Sequence, residues 1–475
     1  MVRGNDDAGR PPGWGALLSG RNAILSLTLA GGVTLHATNV FIAATTLPSI
    51  VKDIGGLPYY AWNTTMFILM SILGATLSTR LLAAAGPRGA YGIAALLFGL
   101  GSAVCAAAPS MPVFLAGRAV QGFGGGLLLA FAYAMIRLVF DESLWPRAMA
   151  LLSGMWGAAT LVGPAIGGVF AELGAWRAAF WVLIPAGLMF ALLAAAVLPK
   201  GSSSRDAPSR LPFAQLVWLM AAVFALSSGS IAGEQIWTVA GIAGGVIFLA
   251  LLAWTELRST SRLFPADALR PSRRLFALYA TIALLELCVT SGEVFIPLFL
   301  QVLHGQVPLA AGYIGALMGV GWTVGSLVSS GATGRSVSRC IVVGPILALA
   351  GMAVLAILVP PPANGRAVVG SICAALLGIG FGVGIGWPHL LTGILKVASP
   401  DEQDLASASM TTVQLLATAT GAALVGLIAN LAGLVDPGGV SGTSHAALCL
   451  FAGFALAPAA AIWTARRSLS FRIPD

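Results

Sequence analysis

Residues 157–168 read GAATLVGPAIGG, with four glycines, one proline and no charged side chain. They lie within a largely apolar run, 147–171, that is long enough to cross a bilayer as a helix. Glycines at helical spacing let two helix backbones approach closely, and Pro164 removes one backbone hydrogen bond and bends the helix. The stretch therefore predicts a tightly packed membrane helix, and by itself it fits static packing and a moving interface equally well.

The composition of the whole chain extends this interpretation to every segment. Of the 475 residues, 58% are apolar and only 9% are charged, whereas a soluble domain carries roughly 25% charged residues. The net charge of +8 comes from basic residues in short loops between apolar runs, so it indicates a lipid bilayer as partner and no nucleic acid. The five cysteines form no CxxC pair, which argues against a metal site. The chain is predicted to be an all-α polytopic membrane protein.

The apolar runs and the basic residues together predict a topology. Fourteen segments qualify as transmembrane helices: 23–48, 60–85, 88–109, 112–137, 147–171, 176–199, 213–233, 236–256, 275–301, 308–332, 338–361, 367–395, 405–433 and 443–465. With this alternation, 21 of the 25 Lys and Arg residues fall on one side, and Lys52, Arg177 and Arg366 fall on the other. By the positive-inside rule, both termini are expected in the cytoplasm.

Several stretches in this order resemble one transporter family. GAATLVGPAIGG is followed by WRAAFWVLIPAG (176–187), and LAGRAVQGFGGG (115–126) precedes both. Further matching stretches are TTLPSIVKDIGG (45–56), ELRSTSRLFPADALR (256–270), PLFLQVLHGQVPLAAG (297–312) and LASASMTTVQLLATATGAAL (405–424). The chain resembles the fourteen-span drug:proton antiporter branch of the major facilitator superfamily, of the multidrug-resistance, quaternary-ammonium-efflux type.

The resemblance implies a division of the chain and an activity. It implies an N-terminal six-helix half (1–199), a linker with two extra transmembrane helices (200–274) and a C-terminal six-helix half (275–475). The implied activity is secondary active transport: proton-coupled export of a small amphipathic organic compound, driven by the proton gradient without a cofactor. The protein would be a monomer in the cytoplasmic (inner) membrane of a bacterium. The gating motif of the fifth span would consist of Gly157, Gly163, Pro164, Gly167 and Gly168.

Two departures from the family pattern leave an alternative open. Ala83 stands where the loop after the second span normally carries an aspartate, and Asn39 replaces an aspartate of the first span. An uncoupled facilitator or a lipid-like-molecule translocator on the same fold would not need these acids. An enzyme is not expected, because the chain has no Gly-x-Ser-x-Gly elbow, HExxH or phosphate loop.

Proton coupling requires a titratable group inside the membrane, and the sequence offers three candidates. Glu286 and Glu293 are the two acidic residues that fall within a predicted span. Seven residues advance a helix by roughly 700° and about 10 Å, so these carboxyl groups share one face. His36, one turn before Asn39, can titrate near neutral pH. Each of the three can also be a structural hydrogen-bonding residue.

Polar residues elsewhere in the spans are candidates for substrate binding or coupling. Arg118 lies at about the depth expected for Asn39, and a buried arginine needs an acceptor or a counter-ion. Backbone carbonyls, an anionic substrate and Glu293 all remain open as partners of Arg118. The other candidates of this kind are Asn39, Gln121, Gln301 and Gln414.

Overall fold

The computed structural model describes residues 14–199, 212–231, 235–259, 261–363 and 365–470, apart from the side chains of Arg137, Pro146 and Asp404. Those residues form helices and connections and contain no strand. The helices are α1 (Gly20–Ile54), α2 (Trp62–Ala107), α3 (Met111–Val139), α4 (Trp145–Glu172), α5 (Trp176–Trp181), α6 (Leu183–Val197), α7 (Phe213–Gly229), α8 (Gln235–Arg258), α9 (Arg274–His304), α10 (Pro308–Ser329), α11 (Arg335–Leu358), α12 (Arg366–Val397), α13 (Gln403–Leu431), α14 (Gly439–Phe454) and α15 (Leu456–Ser470). Residues 200–211, the beginning of the predicted linker at 200–274, lie outside the described residues.

The helices confirm an all-α, multi-pass membrane protein. Twelve stretches of the described chain are long and apolar enough to cross a membrane. One of them, Leu57–Ala107, is 51 residues long and covers two predicted spans, with a left-handed φ of 66° at Gly86 where the chain turns back. Phe213–Gly229 is apolar but has only 17 residues. The count of fourteen spans and the division into halves at 199 and 275 therefore stay predictions.

Glycines of the GFGGG stretch explain how tightly α3 packs against α2. A Cβ atom at Gly122 would overlap with the backbone of Phe67, and one at Gly126 would overlap with the backbone of Ser71. The hydroxyl of Ser71 donates to the carbonyl of Gly122 at 2.9 Å. This backbone-to-backbone approach places the N-terminal turns of α3, which carry Arg118, directly beside α2.

Two seams join the predicted halves of the protein. In one, α4 and α1 pack against α10; in the other, α2 packs against α13. Helix α7 lies against both α2 and α13, and α8 lies against α7. We call the end of the bundle at which α1 ends the outer end, following the predicted orientation. Arg118 and Glu293 line a cavity between the two seams.

Candidate functional site

A cavity in the middle of the bundle is lined by five of the long helices and by α10. Its volume is about 40 Å³, so the cavity is narrow. The walls are mostly apolar, with one cationic side chain, one carboxyl group and four threonines among them. The lining residues are Val40, Phe41, Ala44, Thr45, Thr64, Phe67, Ile68, Arg118, Thr290, Glu293, Val294, Pro297, Gly312, Gly315, Ala316 and Thr418.

Arg118 is held in this cavity by neutral groups. Its side chain is 1% exposed, and Nη1 donates to Oδ1 of Asn39 at 3.2 Å and to Oε1 of Gln121 at 2.6 Å. The guanidinium carbon lies 4.3 Å from the ring centre of Phe67, a cation–π distance. No carboxylate of the described residues lies within 4.0 Å of Arg118, and its Nε is buried without a partner. The guanidinium is therefore positioned but not neutralised.

Asn39 and Gln121 fix the direction in which Arg118 points. Gln121 is fully buried, and its Nε2 donates a hydrogen bond to the hydroxyl of Ser102 at 2.7 Å. Because both amide oxygens accept from one guanidinium nitrogen, the rest of the fork is left open. The sequence placed Asn39 and Arg118 at the same depth, and the structure brings them into contact.

Glu293 is on the opposite wall, on α9. It is half-buried, and its carboxyl group has no hydrogen bond or ion pair with any described residue. Seven residues earlier, Glu286 is also half-buried, and Oε1 accepts a hydrogen bond from the hydroxyl of Thr418 at 3.1 Å. Oε2 of Glu286 has no partner. Since Thr418 itself lines the cavity, it links Glu286 to the space that Glu293 faces.

The third titratable candidate, His36, lies outside the cavity lining. Its ring packs 5.1 Å from the ring of Phe67 and 5.8 Å from the ring of Trp156, measured between centroids. The side chain is 1% exposed, and Nδ1 has no partner. The environment of His36 is an aromatic enclosure rather than the polar space between Arg118 and Glu293.

Gln301 and Gln414 also lie away from the cavity lining. Both are half-buried, and Nε2 of Gln301 is buried without a partner. The backbone carbonyl oxygen of Gln414 lies 3.0 Å from the hydroxyl oxygen of Thr418 and competes with Glu286 for its one hydrogen. Neither glutamine is brought next to Arg118 or Glu293.

The glycines of the 157–168 stretch face different neighbours. A Cβ atom at Gly163 would overlap with Phe41, and one at Gly167 would lie 3.0 Å from the carbonyl of Ile42, so both glycines admit α1. Gly168 instead faces α10, where a Cβ would lie 2.5 Å from the Cα of Leu309. The nearest atom to a Cβ at Gly157 is 3.9 Å away. Among these four glycines, Gly168 is the one in close contact with the opposite predicted half.

Pro164 is part of the same contact. A Cβ atom at Gly312 of α10 would lie 3.2 Å from Cβ of Pro164 and 2.7 Å from Oγ1 of Thr45. Gly312 thus has no side chain that would keep α10 away from α4, as expected where helices slide or rock against each other.

Contacts at the outer end are functional features that the sequence reasoning missed. Oε1 of Glu172 accepts a hydrogen bond from the backbone nitrogen of Leu309 at 3.1 Å. Nδ2 of Asn430 donates to the carbonyl of Pro58 at 2.9 Å, and the ring of Tyr60 stacks on that of Phe295 at 4.9 Å. Each contact joins residues that are distant in sequence, so no local pattern identifies it. Together they join the two predicted halves at the outer end.

Comparison with known proteins gives the family. The sequence profile of the Major Facilitator Superfamily matches residues 29–422. The chain is 38% identical over 430 residues to a probable multidrug-efflux transporter of Mycobacterium tuberculosis, covering 88% of this chain and 90% of that protein. It is 28% identical over 323 residues to the tetracenomycin C resistance and export protein of Streptomyces glaucescens, covering 66% of this chain and 60% of that protein.

The fold has close structural neighbours as well. A solved POT family transporter in complex with 5-aminolevulinic acid superposes with a TM-score of 0.66 at 13% identity, covering 94% of this chain and 96% of that one. At this identity the likeness concerns the fold alone. The profile match over most of the chain and the extensive similarity to a multidrug-efflux relative show that this chain belongs to the Major Facilitator Superfamily, as a non-enzymatic membrane transporter on the side of the drug-efflux branch.

Proposed function

We propose that the protein exports a small amphipathic organic compound, a drug or a metabolite, in exchange for protons. The observation that carries this proposal is the unpartnered carboxyl group of Glu293, which faces the same cavity as Arg118 from the opposite predicted half. An unpaired negative charge inside a membrane protein is costly. A carboxyl group in such a place therefore readily binds a proton. The similarity to a probable multidrug-efflux transporter supports export as the direction.

The walls of the cavity suit a compound with an apolar body and a polar group. Phe41, Phe67 and Ile68 supply apolar contact surface, while Arg118 and Glu293 supply charge. Ligand sites of this kind are predominantly apolar with a few placed polar groups. An amphipathic compound satisfies both parts of the wall.

Coupling would pass through α9, because the acids that this branch usually carries are absent at Asn39 and Ala83. Glu293 would bind a proton from the outside and release it inside. Glu286 would exchange protons with the cavity through the hydroxyl of Thr418, whose hydrogen bond it accepts. The binding of substrate and the binding of a proton would then compete for the same space.

The remaining features of the proposal concern the setting of the transporter. The protein would lie in the inner membrane of a bacterium with both termini in the cytoplasm and would work as a monomer. It would be driven by the proton gradient and would need no cofactor. Alternating access would rock the two predicted halves against each other, with the α4–α10 seam as one of the moving contacts.

Transport by purified protein in proteoliposomes tests the proposal. With a pH-sensitive dye inside the vesicles, addition of substrate to the outside should cause the wild-type protein to release protons from the vesicle lumen. An imposed pH gradient should drive the substrate to accumulate against its concentration gradient. Glu293→Gln and Glu286→Gln should lose uphill accumulation and keep some downhill exchange, since the carboxyl groups that bind the coupled proton are removed. Glu142→Gln, an exposed residue near the start of α4, is the control.

Two results would contradict this assignment. Uphill transport by the Glu286→Gln, Glu293→Gln double variant would show that coupling does not run through α9. Downhill transport without proton movement in the wild-type protein would instead establish an uncoupled facilitator, the alternative favoured by the replacements at Asn39 and Ala83.

A further inference from the structure

The cavity contains one basic and one acidic side chain that do not meet each other. Arg118 belongs to α3, and Glu293 belongs to α9 in the other predicted half. Both line the cavity, yet no ion pair within 4.0 Å joins them, and neither finds another counter-ion among the described residues. A buried charge without a partner is costly, so each wall of the cavity demands a complementary group.

The hydrogen bonding of Arg118 shows what it has left to offer. A guanidinium carries five N–H donors, and the two recorded hydrogen bonds of Arg118 both leave from Nη1. Their acceptors are the neutral amides of Asn39 and Gln121, which orient the group without cancelling its charge. The open edge of the fork matches a carboxylate or a similar anion, the partner with which arginine forms its strongest hydrogen bonds.

Possible substrates can be compared by charge. A purely cationic compound would pair with Glu293 but bring a second positive charge into the cavity with Arg118. A purely anionic compound would pair with Arg118 and face the carboxylate of Glu293. A compound with both charges neutralises both walls and adds no net charge to the occluded protein.

From this arrangement we infer that the transported compound is a zwitterionic amphiphile, whose anionic group binds Arg118 and whose cationic group binds Glu293. The inference rests on the proposed function only in that this cavity binds the exported compound. Because the two anchoring residues lie on opposite predicted halves, such a compound bridges them. Arg118 then selects the substrate as well as stabilising the wall of the cavity.

The test compares dyes that share one ring system and differ in charge. Rhodamine B, with its carboxylate ionised, is a zwitterion; its ethyl ester is a cation; fluorescein is an anion. Binding to the full-length protein in lipid nanodiscs is measured by fluorescence polarisation, with empty nanodiscs subtracted. The wild-type protein should bind rhodamine B about tenfold or more tightly than the ester, in line with one charge-assisted hydrogen-bonded pair.

Variants test which residues cause the preference for rhodamine B. Arg118→Gln should lower the affinity for rhodamine B to that of the ester, and Arg118→Lys should keep part of the preference because the charge remains. Glu293→Gln should weaken binding of rhodamine B and strengthen that of fluorescein. Arg339→Gln and Glu142→Gln, two exposed positions, are matched controls and should bind all three dyes as the wild-type protein does.

The outcomes separate this inference from the proposed function. Equal or tighter binding of the ester by the wild-type protein, or an unchanged preference in Arg118→Gln, overturns the zwitterion inference. Proton coupling is read separately in the proteoliposome assay. A preference for rhodamine B without uphill transport would sink the antiport mechanism and leave the recognition of zwitterions intact.

Discussion

The carboxylate of Glu172, at the last residue of α4, accepts a hydrogen bond from the backbone nitrogen of Leu309, in the first turn of α10, at 3.1 Å. The first turn of a helix has backbone N–H groups without intrahelical partners, and its partial positive charge attracts a carboxylate. One side chain of the predicted N-terminal half thus caps a helix of the other half. We expect the contact to stabilise a conformation in which the two predicted halves meet at the outer end.

Removal of this cap should shift the conformational equilibrium. In Glu172→Ala, we expect the fraction of molecules open at the outer end to rise several-fold, since a helix-terminal carboxylate contributes about 0.3–1 kcal/mol or more. Spin labels at the exposed positions Leu173 and Val307 would report longer distances in this variant. Glu142→Ala should leave the distance distribution unchanged, and an unchanged distribution in Glu172→Ala would show that the cap does not hold the closed state.

The contact between Gly168 and Leu309 predicts that this position in α4 is sensitive to side-chain size. Gly168→Ala should reduce transport strongly while membrane insertion stays normal, because its Cβ would lie 2.5 Å from the Cα of Leu309. Gly154→Ala on the same helix is the control, since a Cβ there meets nothing within 4 Å. Transport rates in vesicles, normalised to the amount of folded protein, measure the difference. Equal rates for the two variants would exclude Gly168 as a moving contact.

His36 offers a test of where protons travel. It is enclosed by Phe67 and Trp156 and lies outside the cavity lining. We therefore expect His36→Gln to retain substrate-driven proton release per molecule transported, even if the rate falls through altered packing. The ratio of protons to substrate is the decisive readout. A ratio that drops to zero in this variant would make His36 the coupling residue.

The hydrogen bonds of Glu256 predict that this residue stabilises the linker that precedes α9. Its side chain is 3% exposed and accepts backbone hydrogen bonds from Leu263 at 2.6 Å and Phe264 at 2.7 Å. Glu256→Ala leaves both donors without this acceptor, which should cost about 3 kcal/mol of local stability. A lower Tm and faster proteolysis between residues 259 and 273 would reveal it. The exposed Glu142→Ala serves for comparison, and equal Tm values would contradict the prediction.

The predicted orientation can be tested with topology tags. A tag at residue 205 or at the C-terminus, both outside the described residues, should report the cytoplasm. A tag near Pro437, between α13 and α14, should report the outer side. A periplasmic signal from either of the first two positions would rule out the fourteen-span arrangement that the basic residues predict.

Properties that depend on composition and depth were predictable from the sequence. The all-α membrane fold follows from the scarcity of charge. The similar depth of Arg118 and Asn39 could be read from the sequence, whereas the hydrogen bond between them was not among the partners expected for Arg118. The GFGGG and GPAIGG stretches predicted tight packing because glycine spacing is a local signal.

Properties that depend on which helices become neighbours were not predictable. Gly167 and Gly168 are adjacent in the sequence, so they differ by about 100° of rotation around the helix axis. This rotation alone makes Gly167 face α1 and Gly168 face α10. The partners of Glu172, Asn430 and Thr418 lie more than one hundred residues away along the chain. No periodicity in a single sequence encodes such pairs.

The position of α7 has a consequence for how compounds reach the interior from the lipid. Leu219 and Val223 of α7 pack with Ile68 of α2 and Ala419 of α13, so a second layer of helix covers that seam. At the α4–α10 seam, Leu161 is 58% exposed on the lipid-facing side. A compound in the hydrocarbon layer therefore meets α7 before it reaches the α2–α13 seam, whereas it meets the α4–α10 seam directly.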